Sequence, residues 1–555
     1  MEAPAAEFSA ATREEYWERL GDEQYDLLVI GGGITGAGVA RDAAGRGLSV
    51  ALLEAGDFGC GTSSRSSRLI HGGLRYLETF DLKLVFEASA ERRTLLKIAP
   101  HLVHPLSFLF PVYRGEGVGL VKLLAGMWVY DALSLFRNIE RHRMLSPAAV
   151  TQREPHIRAR GLDGGAVYYD AQVDDARLTL AVIRAAHEAG AVTVPRAVVT
   201  GFLRDGDAIT GAVVHDRFSG AEKEVRAKVV LNATGPWSDR VRRTADPEAA
   251  LRLRPTKGVH IQVRRERLGN TGALIFTSFV DGRVMFVLPW GDFTYIGTTD
   301  TDREGRPQDA KADPADIHYL LDSVNGLFPR AGLRPSDVVS TWSGVRPLLA
   351  PPKKSRSTSE TSREHEIWRD PNGLLNIAGG KLTTYRVMAA EAVEEVATIL
   401  ARDHGVECGI CLTDELPLPG APVEEWEAFV TGLKARGKHV GLSPEQCDHL
   451  AHAYGTDAHH IIDAVQRDPT LAEPILAGFP YLRAEIPHAV HHEMALTLED
   501  LLRRRLHLFY EATDGGLEAA HAIAEAMALE PCLDWDQPEV ASQITAYQAE
   551  VRKTR

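Results

Sequence analysis

Several features are scarce in this 555-residue sequence, and each scarcity excludes a class of protein. Five cysteines are an odd number and too few for a disulfide framework, so we expect a reducing compartment. No run of about 18 residues is both apolar and uncharged, so we predict no transmembrane helix. Residues 118–136 come closest but contain Lys122 and Asp131. The acidic N-terminus lacks an apolar core, and we expect neither a secretory signal nor an arginine-rich transit peptide.

Positive charge is also in deficit. The chain has 62 Lys and Arg against 76 Asp and Glu, which gives a net charge of −14. Because nucleic acids require a broad positive face, we predict no nucleic-acid partner. Taken alone, this charge also disfavours anionic substrates and anionic membranes, although a bulk charge says little about one site. Apolar (44%) and charged (25%) contents are those of an ordinary globular protein, which excludes a disordered or collagen-like chain.

The chain does contain a glycine-rich turn between two short apolar runs. Residues 25–30 (YDLLVI) and 48–53 (LSVALL) predict two buried parallel strands. The turn has G-x-G-x-x-G spacing, with its glycines at Gly31, Gly33 and Gly36. Such a turn lets a pyrophosphate approach the backbone and the N-terminus of the following helix. Glu54 ends the second run, where a carboxylate can bind a ribose, so we predict a dinucleotide-binding unit.

Three further segments favour FAD over NAD as the dinucleotide. The small, hydroxyl-rich loop 56–67 suits a long ligand, and the segments 232–235 (NATG) and 379–381 (GGK) would close the same site from distant parts of the chain. The predicted cofactor-binding residues are Gly31, Gly33, Ile34, Thr35, Gly36, Glu54, Thr62, Ser63, Ser67, Gly72, Gly73, Ala233, Thr234, Gly235, Gly380, Lys381, Leu382 and Thr383.

These residues lie within longer motifs that follow one another along the chain. The motifs are YDLLVIGGGITGAGVARDAAGRGLSVALLE (25–54), TSSRSSRLIHGGLRYLE (62–78), LNATGPW (231–237), IGTTD (296–300), SGVRPL (343–348) and GGKLTTYR (379–386). In identity and order they closely resemble the bacterial FAD-dependent, quinone-linked glycerol-3-phosphate dehydrogenases. The resemblance runs from about Tyr25 to Leu400 and continues more weakly into LEDLLRRR (498–505).

The resemblance implies an α/β fold with three parts. These are a Rossmann-like FAD-binding domain of the glutathione-reductase or D-amino-acid-oxidase type, a substrate domain on an antiparallel sheet, and a C-terminal α-helical domain. We place the FAD-binding domain at 22–80, 150–250 and 365–405, the substrate-binding domain at 81–149 and 251–364, the linker at 406–422 and the helical domain at 423–555.

The resemblance also implies a reaction, the oxidation of sn-glycerol 3-phosphate to dihydroxyacetone phosphate at FAD, which a membrane quinone then reoxidises. It indicates Arg346 and Arg363, with Arg75 beside them, as contacts of the substrate phosphate and hydroxyl. Arginine suits this role because its planar fork binds phosphate bidentately. The resemblance places Lys381 near the flavin, among the catalytic candidates.

Removal of the substrate hydroxyl proton requires an acceptor. His260 and His71 are the imidazoles within the motifs, and histidine has a suitable pKa for this role. Arg346 is the alternative catalytic group, since it could orient the hydroxyl and stabilise a developing alkoxide. The sequence does not choose among the three.

Three other functions stay open at this point. They are a glycerol-3-phosphate oxidase that uses oxygen, an amine or amino-acid oxidase on the same scaffold, and a non-enzymatic flavin-binding protein. We expect a cytoplasmic protein, peripheral on the cytoplasmic membrane, without a metal site, and with a homodimer as one assembly to test. Residues 118–136 and 498–509 are candidate interfacial helices, and ordinary core packing is the alternative for both.

Overall fold

The computed structural model describes residues 7–74, 81–350 and 364–554. The predicted substrate-binding residues Arg75 and Arg363 lie outside these ranges. The strands are β1 (Gln24–Ile30), β2 (Val50–Leu53), β3 (Leu69–Ile70), β4 (Val103–Tyr113), β5 (Arg143–Leu145), β6 (Leu162–Val173), β7 (Val192–Val194), β8 (Ala197–Asp205), β9 (Ala208–Asp216), β10 (Glu222–Asn232), β11 (Leu253–Arg264), β12 (Ala273–Thr277), β13 (Val284–Trp290), β14 (Phe293–Gly297), β15 (Thr301–Asp302), β16 (Val338–Leu349), β17 (His365–Arg369) and β18 (Leu375–Gly379).

The helices are concentrated towards the C-terminus. They are α1 (Ala10–Asp22), α2 (Ile34–Gly45), α3 (Leu82–Ile98), α4 (Leu120–Leu133), α5 (Pro147–Arg153), α6 (Asp175–Glu188), α7 (Ser238–Ala245), α8 (Arg265–Leu268), α9 (Pro314–Leu327), α10 (Tyr385–His404), α11 (Trp426–His439), α12 (Pro444–Tyr454), α13 (Ala458–Arg467), α14 (Glu485–His492), α15 (Leu498–Asp500), α16 (Leu508–Glu511), α17 (Leu517–Ala528) and α18 (Gln537–Thr554). A π-helical turn, Leu501–Arg505, follows α15.

The first sheet has the order β17-β18-β10-β1-β2-β7, with β18, β10, β1, β2 and β7 parallel. Its central strand β1 is buried on both faces, as the continuous apolar run predicts. Leu27 and Val29 pack with helices α2, α6 and α10, whereas Leu28 and Ile30 pack with α1 and the β8–β9 hairpin. The predicted β-α-β unit is therefore confirmed as the centre of this sheet.

The second sheet is largely antiparallel and has the order β15-β11-β14-β13-β12-β4-β6-β3. Strand β16 pairs along the whole of β11, and β5 pairs with β6. Helix α9 packs on one face of this sheet, and the segments after α13 pack on the other. The described residues beyond 423 contain only helices and the loops between them, apart from one isolated bridge between Pro474 and Leu482.

Strand membership crosses the segment boundaries that we assign from the sequence. The segment 150–250 includes β6, which pairs with β4 in the second sheet rather than with the strands of the first. Helix α6 follows β6 directly and returns the chain to the first sheet. An apolar run in the sequence predicts a buried strand but does not indicate which sheet contains it. The domain limits therefore stay a prediction.

The two candidate interfacial segments differ in exposure. Residues 498–509 are buried in the hydrophobic core beside the second sheet, and even Arg503, Arg504 and Arg505 are almost fully buried. This segment is therefore core, because its arginines are paired inside the protein rather than directed to lipid. Helix α4 instead exposes part of its apolar surface. Among the described residues, no helix is long and apolar enough to cross a membrane.

Candidate active site

The glycine turn at the end of β1 requires glycine at two positions. Gly31 has a φ of +111°, and a Cβ on it would lie 2.8 Å from the carbonyl oxygen of Ala233. A Cβ on Gly36 would lie 1.9 Å from the carbonyl oxygen of Gly31, which no side chain could tolerate. The start of α2 therefore approaches the turn more closely than any other residue would allow. This is the arrangement that a dinucleotide-binding turn needs.

Glu54 follows β2 and faces this turn. Its carboxylate accepts hydrogen bonds from the backbone N–H groups of Gly32 and Gly56, each at 2.7 Å. Burial raises the pKa of Glu54, against the opposing effect of these two donors. The carboxylate is therefore fixed beside the glycine turn, where the sequence predicts a ribose contact.

The N-terminus of α2 has no cap from its own capping residue, because that residue is Gly33. The backbone N–H of Ile34 instead donates to Ser63 Oγ at 2.9 Å, while Thr35 and Gly36 continue the first turn. A helix N-terminus whose capping residue has no side chain is a ready anion site for a pyrophosphate. Ser63, a predicted cofactor contact, thus also orders the helix.

The other predicted cofactor segments converge on the same edge of the sheet. Strands β1, β10 and β18 are parallel and in register, so their carboxyl ends lie side by side. Ala233 and Thr234 follow β10, and Gly235 has a φ of +52°. Gly379 ends β18 and Gly380 follows it, with φ values of +84° and +77°. Lys381 then leads into a turn that contains Leu382 and Thr383.

These features fit FAD. A carboxylate, a helix N-terminus and three backbone turns meet at the carboxyl edge of a parallel sheet, which is where dinucleotides bind in this class of fold.

His71 lies beside this edge through its backbone. Its N–H donates to Thr383 Oγ1 at 3.2 Å, so it sits next to the turn that carries Lys381. Gly72 donates to Asp170 Oδ1 at 3.1 Å, and a Cβ on it would lie 2.3 Å from the hydroxyl of Tyr130. Gly72 is therefore needed for packing, and Gly73 turns the chain with a φ of +78°.

His260 lies on β11 and is buried. Its Nε2 and Ser67 Oγ are 2.9 Å apart, and its ring stacks on Trp342 with a 5.0 Å centroid distance. A Cβ on Gly297 would lie 2.1 Å from the imidazole, so that glycine makes room for the ring. Burial, followed by the positive charges of Arg346 and Arg68, lowers the pKa of His260 to about 3. The imidazole is therefore neutral near pH 7.

Arg346 lies on β16, next to β11. Its Nη1 is 3.1 Å from Asp300 Oδ1, and its Nη2 donates to Thr298 Oγ1 at 3.1 Å. A Cβ on Gly258 would lie 2.4 Å from Arg346 Nη2, so glycine at 258 leaves space for the guanidinium. Because 21% of the arginine side chain stays exposed, its position is fixed while part of it remains accessible to a ligand.

The predicted cofactor segments meet at the carboxyl edge of the first sheet, which we call the cofactor edge. A hydrogen bond joins this edge to the second sheet. Thr62 Oγ1 donates to the carbonyl oxygen of Val345 at 2.6 Å, directly before Arg346. The predicted residues of the described ranges therefore form one continuous region, from the glycine turn through Thr62 and Arg346 to His260 and Ser67. The Ser67–His260 contact gives Ser67 a role besides the predicted cofactor contact.

Sequence reasoning missed Asp300 and Trp342, which hold Arg346 and His260, and Asp170 beneath Gly72. Asp300 lies inside the motif IGTTD and Trp342 directly precedes SGVRPL, so those motifs were the available signal. Asp170 lies on β6 outside all the motifs, and no sequence signal could have found it.

Comparison with known proteins decides the family. A sequence model described as FAD dependent oxidoreductase matches residues 26–386, and one described as the C-terminal domain of alpha-glycerophosphate oxidase matches residues 411–540. Glycerol-3-phosphate dehydrogenase 2 of Mycobacterium tuberculosis is 40% identical over 99% of this chain and 92% of its own. This chain belongs to the FAD-dependent glycerol-3-phosphate dehydrogenase family. The predicted family and cofactor are thereby confirmed.

Other members of the family agree. The aerobic glycerol-3-phosphate dehydrogenase of Staphylococcus haemolyticus is 37% identical, with 94% of this chain and 93% of its own covered. The crystal structure of glycerol-3-phosphate dehydrogenase from Bacillus halodurans, complexed with FAD, has a TM-score of 0.82 at 30% identity and covers 98% of both chains. The predicted fold class is confirmed, and FAD is the cofactor of this family.

Proposed function

We propose that the enzyme oxidises sn-glycerol 3-phosphate to dihydroxyacetone phosphate and that a membrane quinone is its electron acceptor. When bound, FAD supplies the acceptor for the hydride that leaves C2 of the substrate. The observation that carries the proposal is that a fixed arginine and a buried neutral histidine both connect to the cofactor edge. Arg346 connects through the Thr62–Val345 hydrogen bond, and His260 connects through Ser67. A phosphate and a secondary alcohol need these two kinds of group.

Arg346 is the proposed phosphate or hydroxyl contact. Its pairing with Asp300 and Thr298 orients the guanidinium before a substrate arrives, which lowers the entropy lost on binding. A charge-assisted hydrogen bond to phosphate stabilises the complex by about 1.5–3 kcal/mol. We propose Arg75 and Arg363 as further contacts from the motifs alone.

His260 is the proposed proton acceptor. Its neutral imidazole can take the hydroxyl proton without first losing one of its own, but burial keeps its pKa at about 3, which makes it a weak base before substrate binds. The charge of Arg346 is one cause of the low pKa, and a phosphate dianion near that arginine would offset it. Substrate binding would therefore make His260 a stronger base. His71 and Lys381 stay alternatives, since both lie beside the Thr383 turn.

Helix α4 supports a membrane quinone as the electron acceptor. Its buried stripe, Leu123, Met127 and Tyr130, packs in the core, and the Tyr130 hydroxyl donates to Asp170 Oδ1, which also binds Gly72. Its other side exposes an apolar surface. A bilayer that covered this surface would bring a dissolved quinone close to the cofactor edge. We therefore propose peripheral attachment to the cytoplasmic membrane through α4.

Product analysis tests this function against its alternatives. We expect dihydroxyacetone phosphate from glycerol 3-phosphate in the presence of a short-chain quinone, with little hydrogen peroxide in air. Peroxide equal to product would indicate the oxidase. Turnover of amines or amino acids, without turnover of glycerol 3-phosphate, would indicate the amino-acid oxidase scaffold. A homodimer stays a prediction, which light scattering of the purified protein would test.

A further inference from the structure

The loop Gly56–Cys60 lies between Glu54 and the Thr62–Ser64 turn and carries two buried side chains, Asp57 and Phe58. Its backbone is tied to the glycine turn, because the N–H of Gly59 donates to the carbonyl oxygen of Gly32 at 2.9 Å. Phe58 also packs against the turn, since a Cβ on Gly32 would lie 3.0 Å from its ring. The position of this loop therefore fixes the backbone on which the cofactor would rest.

Asp57 connects the loop to the C-terminal part of the chain, 447 residues away. Its carboxylate accepts from Arg504 Nε at 2.5 Å and from Arg505 Nη2 at 3.0 Å, and Arg505 Nη1 also bonds it. Both arginines belong to the π-helical turn Leu501–Arg505, and all three side chains are almost fully buried. Two cations thus hold one carboxylate in a desolvated environment, where each partner depends strongly on the others.

The two arginines are themselves held by the C-terminal helices. Arg504 bonds Asp500 at 2.6 Å, and Arg505 donates to the carbonyl oxygen of Glu493 at 2.7 Å. Asp500 also pairs with Arg196 at 2.5 Å, and the N–H of Arg196 donates to the carbonyl oxygen of Gly56 in the loop. A second path therefore joins the same helical segment to the same loop.

Phe8, which lies just before α1, supplies a third connection between the C-terminal part and the loop. Its backbone is bonded on both sides to the C-terminal part, through the carbonyl oxygen of His491 and the N–H of Met494. Its buried ring stacks on Phe58 at 6.0 Å between centroids, with an interplanar angle of 17°. The segment 491–494 therefore helps to hold Phe8 against Phe58.

We propose that docking of the C-terminal helices and binding of FAD are coupled through the loop Gly56–Cys60, with Asp57 as the positioning residue. The proposal rests on FAD binding at the glycine turn, as in the proposed function. If the helices undock, Asp57 loses its arginine partners, and the supports of Phe58 and of the Arg196–Gly56 contact are lost at the same time. The glycine turn then loses the geometry that binds the cofactor. Since coupling is reciprocal, bound FAD must in turn stabilise the docked helices.

The first test is Asp57→Asn, which keeps the shape and removes the charge. We expect the Kd for FAD to rise at least tenfold in the folded protein, measured by fluorescence of released flavin. The matched control is Asp316→Asn, since Asp316 is a buried carboxylate that pairs with Lys257 at 2.6 Å between α9 and β11, in neither the loop nor the C-terminal helices. The control should lower the unfolding temperature and leave the Kd for FAD unchanged. Equal Kd values for wild type and Asp57→Asn would overturn the proposal.

The second test uses the wild-type chain, so it does not depend on the folding of a variant. Hydrogen exchange is compared between the FAD-loaded and the FAD-depleted protein. We expect FAD to slow exchange at 498–506 at least fivefold, besides the protection at the glycine turn itself. Protection at the turn with no change at 498–506 would refute the coupling. Neither readout uses glycerol 3-phosphate, so a failure of the proposed reaction would leave both comparisons intact.

Discussion

At the scale of single residues, the site depends on glycines that make room for charged and aromatic side chains. Gly258 admits the guanidinium of Arg346, and Gly297 admits the imidazole of His260. Arg346 and His260 both lie on strands of the second sheet. The register of β11 and β16 places Thr256 opposite Arg346 and His260 opposite Trp342. The chemistry of the site therefore depends on where a side chain is absent as well as on where one is present.

Arg346→Ala tests the proposed substrate contact. We expect kcat/KM for glycerol 3-phosphate to fall at least tenfold, equivalent to about 1.4 kcal/mol, because a fixed cation for the anionic substrate is lost. Arg267→Ala is the control, since it removes an exposed arginine of α8 that pairs with Asp337, the residue directly before β16. Steady-state kinetics of both purified variants gives the comparison. An unchanged kcat/KM for Arg346→Ala would remove this residue from the site.

Which residues meet could be predicted where one motif contains both partners. The glycine turn and Glu54 lie within one motif, so their meeting follows from a β-α-β unit. Ser67 and His260 are 193 residues apart, and nothing local indicates that they touch. The same holds for Asp57 and Arg504, whose charges gave no sign of burial in the sequence.

At the scale of elements, α4 carries two apolar stripes. One is buried, whereas the other exposes Val121 by 83% and Trp128 by 53%, together with Leu124 and Val129. Exposed basic residues, among them Lys122 and Arg137, lie beside this surface. An apolar surface flanked by cations suits the headgroup region of an anionic bilayer.

The change Val121→Ser with Trp128→Ser tests this surface. We expect at least fivefold weaker sedimentation with vesicles that contain phosphatidylglycerol, because apolar area is lost from the contact. Activity with a soluble artificial acceptor should be retained. Leu529→Ser is the control, since it removes an equally exposed leucine from another part of the molecule. Equal sedimentation of the double variant and wild type would contradict attachment through α4.

Elements with strong local signals were predicted well. The glycine turn and its flanking apolar runs predict β1, α2 and β2, and all three are present. The sheet to which β6 belongs was not predictable, because pairing with β4 depends on residues about 60 positions away in sequence. The segment 498–509 was likewise ambiguous, since the ion pairs that bury its arginines involve distant residues.

At the scale of the whole molecule, several histidines are buried in a neutral state. Burial is the main cause that lowers the pKa of His101, His104, His260 and His488 to about 3. In the unfolded chain each histidine would have a pKa of about 6.5. Between about pH 3 and about pH 6.5 the unfolded state therefore binds more protons than the folded state. The folded state is therefore favoured above this range and loses stability as the pH falls through it.

Stability should consequently fall as the pH decreases from 7 to 5. Each of these histidines contributes at most about 2 kcal/mol of destabilisation by pH 5, from 1.4 kcal/mol per unit. Unfolding temperatures measured by calorimetry across this range check the prediction. His101→Gln should flatten the slope, because one proton-binding difference is removed. A stability that stays constant from pH 7 to 5 would contradict it.

If the proposed function is correct, glycerol 3-phosphate reduces the flavin of this protein. The most direct measurement adds the substrate to the purified, FAD-loaded protein without oxygen and records the flavin absorbance. We predict bleaching of the visible flavin absorbance by a small excess of substrate, with dihydroxyacetone phosphate as the product, on the order of one equivalent per FAD. Flavin that stays oxidised with glycerol 3-phosphate, yet is bleached by dithionite, would contradict the account.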